Sequence, residues 1–264
     1  MPVALPGFTR TEFTYQGRTR TVYRAGSGPA VIVLAELPGI TPRVTDFAER
    51  LVALGCTAVM PHLFGTPGKA PSGARFARSI AQVCVSREFT LFAQRRNAPI
   101  TDWLRALARS EHGACGGPGV GVVGMCFTGG FALAMMADEA VLAPVLSQPS
   151  LPFGLSHAAK SALGIDEPTL ERVKERCAAQ NLCVLGLRFS GDKVSPPERF
   201  ERLRKELGEH FVAVEIDSSP GNEHDIGVGT KAHSVLTEQL VDVPGHPTHD
   251  ALQQVLEHLR TRLL

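Results

Sequence analysis

A chain of 264 residues can bury a large core, and it suits a single α/β domain over residues 1–264 better than two independent ones. Its 44% hydrophobic and 20% charged residues, with a formal net charge of +1, exclude the long-range field that would draw nucleic acid or an acidic membrane surface. The opening residues lack a basic stretch followed by an apolar one, and no later apolar run nears the roughly 20 residues that span a bilayer. A cytoplasmic protein that meets small molecules is therefore expected, as a monomer or a small homo-oligomer.

Taken in chain order, residues 12–15 and 20–23 flank Gly17 and read as an antiparallel hairpin. Residues 30–35 (Ala-Val-Ile-Val-Leu-Ala) form an unbroken apolar run of the kind a strand buried on both faces shows. Pro38 and Gly39 then break the chain into a loop over residues 36–40. Phe47, Leu51 and Leu54 fall at helical spacing over residues 45–54, Gly55 closes that helix, and residues 57–60 make the next strand. A strand, helix and strand joined by short connections favour parallel pairing.

Residues 61–97 form an excursion, rich in Pro, Gly, Ala and Ser over 65–74 and compatible with a helix over 76–92, though with broken periodicity. Residues 99–110 place Ile100, Trp103, Leu104, Leu107 and Ala108 on one helical face. Strands over 120–123, 140–146, 182–189 and 211–216 then alternate with helices over 127–137, 169–179, 197–207 and 249–263. The expected architecture is a doubly wound, mostly parallel sheet with an antiparallel hairpin before it. Residues 147–168 are long for a connection and read as a second excursion, either a cap element or a solvated loop.

The six cysteines, Cys56, Cys84, Cys115, Cys126, Cys177 and Cys183, show neither a CxxC pair nor zinc-ligand spacing, so no metal centre or disulfide framework is expected. Cys56 and Cys183 sit in apolar runs, where cysteine behaves as a small hydrophobe. Cys126 differs, because it lies in Gly124-Met125-Cys126-Phe127-Thr128-Gly129-Gly130, between an apolar strand and a helix of small residues. A nucleophile elbow needs that context: the sharp turn aims one side chain outward, while the helix N-terminus offers amides to an oxyanion and favours a thiolate. The competing reading is a buried cysteine at a tight turn. Gly119, Gly121 and Gly124 also match GxGxxG, but the pattern runs through the strand rather than after it, and no acidic residue ends a second strand at the expected distance.

A thiol nucleophile requires a base and an orienting acid, which in such sheets follow it in the chain order nucleophile, acid, histidine, each after a later strand. Asp192, in Ser190-Gly191-Asp192-Lys193-Val194-Ser195-Pro196, arrives at a strand end, although Gly-Asp is also an ordinary turn pair. The base is His233 or His224. His233, between Ala232 and Ser234-Val235, suits a partly buried loop anchored to the core, whereas His224 is flanked by Glu223 and Asp225. His246, His249 and His258 lie near or in the terminal helix and read as surface residues.

These motifs resemble the dienelactone hydrolase family of α/β-hydrolases, and the resemblance spans most of the chain. It implies Cys126 as nucleophile, Asp192 as acid and His233 as base. It further implies Glu36, in Ala35-Glu36-Leu37-Pro38-Gly39-Ile40, as a carboxylate beside the thiol that holds its proton or competes for the histidine until substrate displaces it. The amides of Leu37 and Phe127 would form the oxyanion hole, and Arg87 stands where a family arginine falls. Two positions depart from the family pattern: Thr128 replaces a glycine, and His233 is followed by Ser-Val-Leu-Thr without the arginine that binds a lactone carboxylate. The implied activity is cleavage of a small-molecule ester or lactone through a Cys126 acyl-enzyme, without metal or organic cofactor. Thioester hydrolysis or acyl transfer is the alternative within that chemistry. A silent hydrolase fold that binds a ligand, with Cys126 as a redox-sensitive thiol, is the alternative outside it.

Overall fold

In the computed structural model, which describes residues 3–85, 99–151, 157–224 and 231–264, the apolar runs become strands of an eight-stranded sheet. The strands are β1 (Thr9–Tyr15), β2 (Arg18–Gly26), β3 (Ala30–Leu34), β4 (Thr57–Pro61), β5 (Val120–Met125), β6 (Val141–Ser147), β7 (Val184–Phe189) and β8 (Phe211–Ile216). Their order is β1-β2-β4-β3-β5-β6-β7-β8. β2 runs antiparallel to both β1 and β4, and every other neighbouring pair is parallel. The described helices are α1 (Pro42–Leu54), α2 (Gly73–Val85), α3 (Pro99–Cys115), α4 (Gly129–Met135), the short α5 (His157–Lys160), α6 (Glu167–Gln180), α7 (Pro197–Leu207) and α8 (Pro247–Leu263).

Side-chain alternation along the strands builds two cores, one on each face. Ile32, Leu34, Val122 and Val184 meet Trp103 and Leu107 of α3, Phe131 of α4, Val173 of α6 and Phe200 of α7. Val31, Val33, Val123, Val145 and Leu187 meet Phe47 and Leu51 of α1 and Leu252, Val255 and Leu259 of α8. Gly121 allows α8 to lie against β5, since a Cβ there would stand 2.7 Å from Leu259. The hairpin is tied to the first of these cores by Trp103, whose indole N–H donates to the Arg18 carbonyl at 3.0 Å and whose ring meets Phe13 edge-on at 5.3 Å.

Several boundaries differ from the sequence expectation for local reasons. α1 begins at Pro42 because Thr41 caps it, accepting from the Val44 amide, with proline at the first helical position. The same device moves α8 back to Pro247, capped by His246. The helix expected over 127–137 is divided, with a 3-10 turn over Cys126–Thr128 before α4. The helix expected over 76–92 is present as α2 up to Val85, and its remainder lies outside the described residues. No described helix is long and apolar enough to cross a membrane.

Candidate active site

The parallel strands deliver Glu36 after β3, Cys126 after β5, Asp192 after β7 and, through a longer loop, His233 after β8, all at the C-terminal edge where open α/β sheets place their sites. Cys126 takes φ 55°, a left-handed conformation that strains a residue bearing a Cβ. Surrounding packing holds it there. A Cβ at Gly124 would lie 2.5 Å from the Thr128 carbonyl oxygen and 2.8 Å from Ala132 Cβ, so only glycine lets α4 sit directly on β5.

Thr128, the departure from the family glycine, is fully buried and takes part in the turn. Its Oγ1 accepts from the Met125 amide at 2.9 Å and has the Leu34 and Met125 carbonyls at 2.7 and 2.8 Å as acceptors for its proton. The hydroxyl thereby ties the elbow to the end of β3, directly before Glu36 and Leu37.

His233 Nδ1 lies 2.6 Å from Asp192 Oδ2. The carboxylate is 3% exposed, and its Oδ1 accepts from the amides of Val194 at 2.8 Å and Ser195 at 3.2 Å, which fixes its orientation. Nε2 of His233 is buried without a hydrogen-bond partner among the described residues. Burial pulls the imidazole's proton affinity down, but the Asp192 carboxylate and the neighbouring Cys126 outweigh it and push His233 up to about 11. His224 is exposed and does not reach this group; its ring stands edge-on to His246 at 5.8 Å.

Glu36 is 4% exposed, and its bonds run to the histidine loop and to Gln148 after β6 instead of the thiol. It accepts from Ser234 Oγ at 2.6 Å, from Gln148 Nε2 at 3.2 Å and from Thr237 Oγ1. No hydrogen bond joins it to Cys126 among the described residues. The physical reason is satisfaction of a buried carboxylate, which these hydroxyl and amide donors supply. Gln239 Oε1 completes the loop by accepting from the Ser234 amide at 2.7 Å and the His233 amide at 3.3 Å. Leu37 lies in a turn closed by the Gly39 amide donating to the Glu36 carbonyl at 2.7 Å, and Phe127 packs edge-on to Phe131 at 5.5 Å. Arg87 lies outside the described residues.

Besides the polar partners of Glu36 and of the histidine loop, sequence reading missed Ser150 and Arg199 at this site. Ser150 Oγ stands 3.0 Å from Cys126 Sγ, and its amide donates to the Cys126 carbonyl at 3.0 Å. Arg199 is 4% exposed and donates to the carbonyls of Pro149 at 2.7 Å, Ala162 at 2.7 Å and Val194 at 3.4 Å, lacing the Ser150 and Asp192 loops together. Burial lowers Arg199 to about 10 despite the nearby Asp192 and Cys126. The signal for Arg199 was an arginine on the otherwise apolar stripe of α7, beside Phe200 and Leu203. Ser150 had no comparable signal. Among the described residues no group of three or more His, Cys, Asp or Glu side chains is placed to hold a metal ion.

Comparison with known proteins gives a consistent result. The model of the Dienelactone hydrolase family matches residues 17–260. Among solved structures, a dienelactone hydrolase-like promiscuous phosphotriesterase from metagenomic libraries superposes with a TM-score of 0.61 at 15% identity, covering 97% of this chain and 98% of that one. A dienelactone hydrolase from Anabaena variabilis gives 0.58 at 16% identity over 97% and 98%. A cold-adapted esterase from an Arctic intertidal metagenomic library gives 0.59 at 15% identity over 99% and 97%. No curated protein sequence matches the chain.

Proposed function

Since the chain belongs to the dienelactone hydrolase family over residues 17–260 and is a carboxylic ester hydrolase, we propose that it cleaves a small-molecule ester or lactone through an acyl-enzyme on Cys126. The observation that carries this reading is the Asp192–His233 bond of 2.6 Å, with Nε2 unbonded beside a cysteine held at φ 55°. The raised proton affinity of His233 supports an imidazolium beside Cys126 in the free protein.

In this mechanism the Cys126 thiolate attacks the acyl carbon and forms a C–S bond. The carbonyl oxygen becomes an oxyanion, held by the amides of Leu37 and Phe127 at roughly 3 kcal/mol per donor. Collapse breaks the C–O bond, and the leaving alkoxide takes the proton from His233 Nε2. Neutral His233 then removes a proton from water, hydroxide adds to the thioester, and the C–S bond breaks to release the acid and restore the thiolate. Asp192 holds the imidazole in register and stabilises its cationic form throughout. Glu36 holds the loop that carries His233, through Ser234 and Thr237. The near-zero net charge supports a small-molecule substrate over a polyanionic one.

The test is pre-steady-state hydrolysis of an activated aryl ester. A phenol burst stoichiometric with enzyme, absent in Cys126→Ala, is the expected result, together with faster alkylation of Cys126 by iodoacetamide than of free cysteine. Cys126→Ala turning over at the wild-type rate would overturn the proposal.

A further inference from the structure

The Ser150 hydroxyl stands 3.0 Å from the Sγ of Cys126, a thiol that also neighbours the His233 ring. Ser150 is 5% exposed, and its place is fixed independently of that contact. Its amide donates to the Cys126 carbonyl at 3.0 Å, and Arg199 holds the preceding Pro149 carbonyl at 2.7 Å. Pro149 also packs on the start of α4, since a Cβ on Gly129 would lie 2.9 Å from Pro149 Cβ. The backbone that carries the hydroxyl is therefore held beside the sulfur from two sides.

A thiolate has no proton to give, so across this contact the hydroxyl must donate. A donor fixed in place before the charge forms favours the charged species, because no solvent has to reorganise around the sulfur. We propose that Ser150 is a further catalytic residue, whose hydroxyl donates to the Cys126 thiolate and sustains the charged nucleophile while Nε2 of His233 stays open for the leaving group and for water. The inference rests on the Cys126 nucleophile proposed above. It assigns the thiolate two stabilising partners on different strand-end loops, His233 as counter-ion and Ser150 as hydrogen-bond donor.

The experiment follows the thiol itself. The rate of Cys126 alkylation by iodoacetamide, read by peptide mapping, is measured against pH in the wild type, Ser150→Ala, Ser150→Gly and Ser150→Thr, with circular dichroism to establish folding. Loss of the donor in the Ala and Gly variants should move the acid limb of the profile up by about 1 pH unit, the size expected of a hydrogen bond to a charged group. Ser150→Thr should restore the wild-type limb, and the acid limb of kcat/KM for an aryl ester should move in parallel. A limb that stays in place in either donor-less variant overturns the inference. So does a downward shift, which would mean that the thiol donates to Ser150, and so does a threonine variant that behaves like alanine. Cys126→Ala separates the two proposals: if it still hydrolyses ester, the nucleophile assignment falls and Ser150 falls with it. If Cys126→Ala is inactive while the Ser150→Ala limb is unmoved, only the Ser150 role fails.

Discussion

The Asp192–His233 contact sets what the imidazole can do. Asp192 Oδ2 lies 2.6 Å from Nδ1, and its other oxygen is held by two amides, so Asp192→Asn keeps the shape and removes the charge. A fall in kcat/KM of roughly 10³-fold or more is expected from the lost orientation and cation stabilisation. The imidazole in the wild type should stay protonated from pH 6.5 up to about 11 and titrate much lower in Asp192→Asn, as followed by nitrogen NMR of the ring. A wild-type ring that titrates near 6.5 would contradict the ion-pair reading. Cys126, Asp192 and His233 were readable because each follows an apolar strand and carries turn residues or a small neighbour that mark a strand end. Ser150 and Gln148 were not. They follow β6 in Ser147-Gln148-Pro149-Ser150 without a glycine, and only the fold brings them beside Cys126 and Glu36. Glu36 was visible as a residue, but its partners Ser234 and Thr237 come from about 200 positions away, a distance no local pattern spans.

The elbow depends on Thr128 as an internal brace between β5 and β3. Thr128→Val is nearly isosteric but leaves the Met125 amide and the Leu34 carbonyl without that partner in a fully buried place. A loss of about 2–4 kcal/mol in urea unfolding is expected, with Thr128→Ser within about 1 kcal/mol of the wild type. Equal stability of the valine variant would show that the hydroxyl is dispensable. In α8, burial and the nearby Arg262 lower His258 to about 4, and its Nε2 has no hydrogen-bond partner among the described residues. Between pH 6.5 and about 4 the unfolded chain binds a proton that the folded chain refuses. Stability therefore falls with falling pH across that window, by up to about 3 kcal/mol. His258→Leu should flatten this part of the profile, and an unchanged acid loss would refute it. The elements themselves were largely legible because their apolar periods are strong. The boundaries shifted where capping ruled, as at Thr41-Pro42 and His246-Pro247.

Both faces of the sheet are covered by helices, and each strand from β3 to β7 contributes side chains to both cores. A structure that shares its sheet between two cores should unfold as one cooperative unit over residues 1–264. Trp103, the one tryptophan, reports the hairpin and α3 on a single face, so its fluorescence and far-UV circular dichroism should share one midpoint in urea. Separate midpoints would argue for two domains. The strand order, with β3 between β4 and β5, carries Glu36, Cys126, Asp192 and His233 to one edge, where the proposed covalent mechanism requires them. The most direct test is to quench the wild-type enzyme in acid during turnover of an activated aryl ester and map the trapped acyl group. The acyl mass should sit on the peptide at Cys126, as a thioester that hydroxylamine removes. Hydrolysis that proceeds with no acyl group on Cys126, or with the group on Ser150 only 3.0 Å away, would contradict the mechanism.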